Sequence, residues 1–83
     1  MKNIIEIGPG EGALTNEILK AKPKLLILIE KDYNLSLILK KKFIKNKKIK
    51  IFCEDILKFD FKKIKGNNFI VFGNLPYNVS SQI

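Results

Sequence analysis

The sequence predicts a doubly wound α/β domain built on a parallel sheet, and three observations carry that prediction. Short aliphatic runs, Leu25-Leu26-Ile27-Leu28-Ile29 being the clearest, read as strands buried on both faces. Segments with helical spacing alternate with these runs, the pattern of parallel strands joined by crossovers. The first run passes directly into Gly8-Pro9-Gly10-Glu11-Gly12, a glycine-spaced turn ahead of a helix start, as in nucleotide-binding units.

Taken in order, residues 3–7 form the first strand, with Glu6 near its carboxyl end. Residues 13–21 form a helix that sets Leu14 and Ile18 on one face with Leu19 beside them, and Pro23 stops it. Residues 25–30 are a central strand closed by Glu30. Asp32 can cap the next helix, whose Leu35, Ile38, Leu39 and Phe43 follow helical spacing. Its lysine-rich end, Lys40 to Lys48, complements the negative end of the helix dipole. Residues 49–53 are the third strand and 54–57 the loop after it. A polar connection with Lys62, Lys63, Lys65 and Gly66 leaves room for a short helix only. Residues 68–73 are the fourth strand, Asn74-Leu75-Pro76-Tyr77 leaves its carboxyl end, and residues 79–83 start a further helix. The usual order, 3-2-1-4, puts the switch point between strands 1 and 4, where ligands bind outside the carboxyl ends. Residues 8–12, Glu30, Asp55 and residues 74–77 all leave carboxyl ends, so they should converge on one crevice.

Composition narrows the chemistry. At 83 residues the chain is one domain at most. A hydrophobic content of 46% with six Phe marks a globular sequence. No apolar run reaches the roughly 18 residues of a membrane span, and the N-terminus lacks a signal peptide's apolar core, so a cytoplasmic location is expected. The single cysteine, Cys53, excludes an internal disulfide and reads as a small core hydrophobe. With no histidine, the usual zinc sets and His-dependent nucleophile systems are excluded, and no metal is expected. Net charge is +8, from sixteen lysines and no arginine, seven of them within residues 40–50. That balance suits a polyanion such as RNA or DNA; a lysine bias of solvated side chains would give the same total.

Each loop has chemistry to offer. The glycines let a ligand approach bare backbone, and the amides opening the helix face it. Gly8, Gly10 and Ala13 also fit a dinucleotide fingerprint. Glu30, about twenty residues on, can accept from both hydroxyls of a ribose. Asp55 suits an exocyclic amino group, and Ile56 can pack on an adenine plane; taken alone, Asp55 is more often a helix cap or loop acid. The Asn74 side-chain oxygen and the Leu75 carbonyl can together accept from one amino group, with Pro76 stiffening the turn. Tyr77 offers a face on which a flipped base stacks, worth roughly 1–3 kcal/mol.

Residues 6–15, Glu6-Ile7-Gly8-Pro9-Gly10-Glu11-Gly12-Ala13-Leu14-Thr15, and residues 72–81, Phe72-Gly73-Asn74-Leu75-Pro76-Tyr77-Asn78-Val79-Ser80-Ser81, resemble the signature blocks of the ribosomal RNA adenine dimethyltransferases. The resemblance runs through nearly the whole chain, and Glu30 and Asp55 fall in the family's positions. It implies a Rossmann-like class I methyltransferase fold and S-adenosylmethionine as cofactor. The implied reaction is dimethylation of the exocyclic amino group of adenines in small-subunit rRNA, in ribosome biogenesis. Glu6, Gly8, Gly10, Gly12, Glu30, Asp55, Ile56 and Asn74 would contact the cofactor. Of these, the glycine turn would hold its methionine part, Glu30 its ribose and Asp55 its adenine amino group. Asn74, Leu75, Pro76 and Tyr77 would form the catalytic block. Such an enzyme would need no metal and no covalent intermediate, and would act as a monomer.

Family members also carry an upstream segment, further strands and a C-terminal helical domain. Residues 1–83 are therefore expected to be a truncated methyltransferase domain, weakly stable, with its fourth strand an exposed edge and with no methyl transfer of its own. Three rival readings follow from parts of the pattern. Gly8, Gly10, Ala13 and Glu30 suit an NAD- or FAD-binding oxidoreductase, which leaves residues 74–77 unexplained. The lysines suit a non-catalytic RNA-binding module. Within the methyltransferases, the target could be large-subunit rRNA, as in antibiotic-resistance enzymes, or DNA; Leu75 favours the small-subunit enzymes.

Overall fold

Strands β1 (Asn3–Ile7), β2 (Leu25–Ile29), β3 (Ile49–Phe52) and β4 (Phe69–Gly73) form one sheet in the order β3-β2-β1-β4, with every pairing parallel. The expected order is therefore the observed one. The computed structural model describes residues 2–64 and 68–73. Register places Ile7 of β1 opposite Ile29 of β2 on one side and Gly73 of β4 on the other, so these carboxyl ends lie level.

Alternation along the strands sorts their side chains into two cores. Ile4, Leu26, Leu28 and Ile49 point to one face and pack with Ile18 of helix α1 (Ala13–Lys20) and Leu39 of helix α2 (Tyr33–Lys42). Ile5, Ile7, Ile27 and Ile29 point to the other and meet Phe59, with Phe52, Ile56 and Phe69 around it. Both faces of β1 and β2 are thus covered, as their aliphatic runs require. Each fully buried Leu or Ile contributes about 1.5–3 kcal/mol. β4 is different: Ile70, Val71 and Phe72 are 40%, 45% and 41% exposed.

The helices turn inward by Ile18 and Leu39, as periodicity suggests, but not by Leu14 or Ile38. In α1 the buried positions are Thr15 and Ile18, with Leu19 half-buried, while Leu14 is 43% exposed. Thr15 goes inward because its hydroxyl has a buried carboxylate to meet, described below. α2 is capped as expected, Asp32 Oδ1 accepting from the Leu35 amide at 3.0 Å. Its buried positions are Ser36 and Leu39, and Ile38 faces out. Ser36 is tolerated inside because its hydroxyl donates to the Tyr33 carbonyl at 2.7 Å. β3 ends at Phe52, one residue early. The connection to β4 carries two short 3-10 turns, Ile56–Lys58 and Phe61–Lys63, capped by Asp55 and Asp60.

Candidate functional site

At the carboxyl ends of β1 and β2 the glycine turn is fastened to the sheet. The Gly8 amide donates to the Ile29 carbonyl at 2.9 Å, and the Gly12 amide to the Pro9 carbonyl at 3.0 Å. Gly8, Gly10 and Gly12 have φ of 68°, 61° and 93°, values that side chains rarely adopt. Two of these glycines meet different surroundings. A Cβ on Gly12 would touch Leu39, Lys42 and Phe43, each at 3.4 Å, so Gly12 lets α2 pack against the turn. A Cβ on Gly10 would meet no described atom within 4 Å. The backbone there is bare, as a turn that receives a ligand must be.

Glu30 follows β2 directly and is only 6% exposed. One carboxylate oxygen accepts from the Gly10 amide at 3.0 Å, and the other from the Asp32 amide at 2.9 Å. The carboxylate thus joins the glycine turn to the start of α2 across twenty residues of sequence. Each oxygen offers about two acceptor sites, so each keeps one for a hydroxyl. α1 opens on Gly12, and among the described residues no side chain caps it and no acid stands in its first turn. Its positive end is left for an external acceptor.

Glu6 stands one residue before the carboxyl end of β1. It is 2% exposed, and its carboxylate accepts a short hydrogen bond from the Thr15 hydroxyl. Burial raises its pKa above the ordinary carboxyl value, and the Thr15 hydroxyl acts the opposite way. Glu6 therefore ties β1 to the first turn of α1. Thr15 was not singled out in the sequence; the signal was a hydroxyl nine residues from an acid, which only the packing of α1 on β1 makes meaningful.

β3 delivers its loop beside Glu30, whose amide donates to the Phe52 carbonyl at 2.9 Å. Asp55 Oδ1 accepts from the Leu57 amide at 3.0 Å, so the acid caps its own turn and keeps its second oxygen for another donor. Ile56 is half-buried against the Phe59 cluster. Lys42 was also missed by sequence reasoning: its Nζ donates to the Glu11 carbonyl in the glycine turn at 3.2 Å. Asn74, Leu75, Pro76 and Tyr77 lie outside the described residues; what is placed is Gly73, level with Ile7 where the glycine turn begins. Among the described residues no group of three or more His, Cys, Asp or Glu could hold a metal, and no helix is long and apolar enough to cross a membrane.

A profile of the ribosomal RNA adenine dimethylase family matches residues 1–83. The chain belongs to that family. Among curated relatives, ribosomal RNA small subunit methyltransferase A of Pelagibacter ubique is 51% identical over 82 residues, covering 99% of this chain. The same enzyme of Maridesulfovibrio salexigens is 46% identical over 82 residues, covering 98%. The chain spans 30% of the length of each of these relatives. Among solved structures, the 23S rRNA methyltransferase ErmE superposes with a TM-score of 0.76 at 29% identity, over 96% of this chain and 31% of that one. The sheet described above is thus the front part of a Rossmann-like methyltransferase fold.

Proposed function

We propose that the crevice between the glycine turn, Glu30 and the β3 loop binds S-adenosylmethionine, and that the family protein to which this chain corresponds dimethylates adenines of small-subunit rRNA. The observation that carries this reading is the Glu30 carboxylate, buried, fixed by two amides and set against the bare backbone of Gly10. A carboxylate held in this way has its remaining acceptor sites aimed by the fold before any ligand arrives, which suits a vicinal diol. When bound, S-adenosylmethionine supplies an electrophilic methyl group.

In this reading Glu30 accepts from both ribose hydroxyls, and the free Asp55 oxygen accepts from the adenine amino group with Ile56 against the ring. The glycine turn and the uncapped start of α1 receive the methionine part. Glu6 contributes through Thr15, by holding that turn in place. Asn74 and the Leu75 carbonyl hold the target amino group, Pro76 keeps the turn rigid, and Tyr77 stacks on the base. Holding the amino group and base in line for transfer makes positioning the main source of rate. The names of the relatives at 51% and 46% identity support a small-subunit target. The likeness to ErmE supports large-subunit rRNA as the second reading.

Titration with S-adenosylhomocysteine tests the site. Glu30→Gln keeps one acceptor but loses the charge, and hydrogen bonds to charged groups are worth about 1.5–3 kcal/mol, so affinity should fall at least about tenfold. Unchanged affinity with a lowered melting temperature would instead make Glu30 a latch between the turn and α2.

A further inference from the structure

The lysines cluster in one stretch of the chain. Between Asp32 and Glu54 lie seven of the sixteen lysines and none of the eight acids. A bias toward lysine in place of arginine does not remove acids from a stretch of 21 residues, so the segregation itself needs a cause. In the fold this stretch becomes α2, β3 and the turn between them. Lys42, Phe43, Lys45, Asn46, Lys47 and Lys48 line an open cavity of about 520 Å³ at that turn.

The turn is held by its own backbone. The Asn46 amide donates to the Phe43 carbonyl at 2.9 Å, and the Ile49 amide to the Asn46 carbonyl at 3.3 Å. Asn46 Oδ1 accepts from the Lys48 amide at 3.0 Å, which leaves the side-chain NH2 as a donor. Lys45, Lys47 and Lys48 are exposed, and the ion pairs among the described residues, Lys20–Glu17 and Lys63–Glu54, lie elsewhere. Lys42, which also lines the cavity, donates to the Glu11 carbonyl in the glycine turn.

We infer that residues 42–48, the turn leading into the amino end of β3, form a docking surface for an RNA backbone; this rests on the reading above for the identity of the RNA. Lysines are compact point charges, and an open depression lined by them, with no buried polar anchor and no arginine fork, suits successive phosphates better than a single small anion. It contributes affinity and orientation and reads no sequence. Asn46 adds a neutral donor to one phosphate oxygen.

The test is fluorescence anisotropy of a labelled 20-nucleotide single-stranded RNA with the 83-residue chain, at several salt concentrations. It compares Lys45→Gln/Lys47→Gln/Lys48→Gln with a control of equal charge loss, Lys24→Gln/Lys58→Gln/Lys62→Gln. Each lost phosphate contact lowers the slope of log affinity against log salt by about 0.7 on single strands, so the turn variant should lose about 2 from that slope and at least tenfold in affinity. The control should stay within about threefold of the parent. Equal weakening in both variants overturns the proposal, as does binding of the parent to phosphatidylserine vesicles with none to RNA. S-adenosylhomocysteine binding, measured on the same variants, should not change. A chain that binds RNA through these lysines and does not bind the homocysteine compound keeps this inference and refutes the cofactor reading.

Discussion

Gly10 separates what the turn needs from what a ligand needs. Its φ of 61° means that any side chain is strained there, by roughly 1–2 kcal/mol. The space around it is open, so Gly10→Ala adds no internal clash to that strain. The fold should survive with a lower melting temperature, while affinity for S-adenosylhomocysteine falls at least tenfold, because the new methyl stands where the ligand approaches. Equal affinity in parent and variant, measured by calorimetry, would show that the ligand does not approach Gly10. Glycine spacing made the positive φ legible in the sequence. It did not reveal that Gly10 opens on space while Gly12 packs on α2, since that contrast depends on Leu39, Lys42 and Phe43 arriving from thirty residues away.

At the scale of elements, the β1–α1 unit is joined by a buried acid as well as by packing. Glu6 is desolvated, so folding raises its pKa, with the Thr15 hydroxyl only partly offsetting burial. The folded chain therefore holds that proton at pH values where the unfolded chain has released it. This contribution is greatest in acid and is lost as pH rises from the ordinary carboxyl range through the raised value. Glu6→Gln keeps an acceptor for Thr15 and removes the titration. The variant should match the parent at low pH and melt higher than it at neutral pH, seen in paired thermal scans across pH. A gap that shrinks with rising pH would contradict the sign. Among the described residues the strand extents, the start of α2 and the end of α1 were legible to within a residue or two, because aliphatic runs, Pro23 and Asp32 are local signals; α2 stops at Lys42, short of Lys48. Helix facing was legible in part: Ile18 and Leu39 face inward as their spacing suggests, while Leu14 and Ile38 do not, and Thr15 and Ser36 are buried instead because each hydroxyl finds an acceptor.

For the whole molecule, the order β3-β2-β1-β4 gathers distant residues at one edge. For residues 8–12, Glu30 and the β3 loop that convergence was legible, since every loop after a parallel strand leaves on the same side. The bond from Gly10 to Glu30 was not, because it exists only once β1 and β2 are paired in register. The same assembly leaves β4 with Ile70, Val71 and Phe72 exposed, and such an edge favours association through unpaired backbone.

The central claim is that this edge of the sheet is an adenosyl-cofactor site, and a thermal melt followed by circular dichroism tests it most directly. The 83-residue chain is melted alone, with S-adenosylhomocysteine and with NAD. A ligand at 100 times its dissociation constant adds about 2.7 kcal/mol to the folded state. At about 4–8 °C per kcal/mol for a domain of this size, that is a shift on the order of 10 °C. The account predicts that shift with S-adenosylhomocysteine and none with NAD. A cooperative melt that rises with NAD alone, or with neither compound, would contradict it.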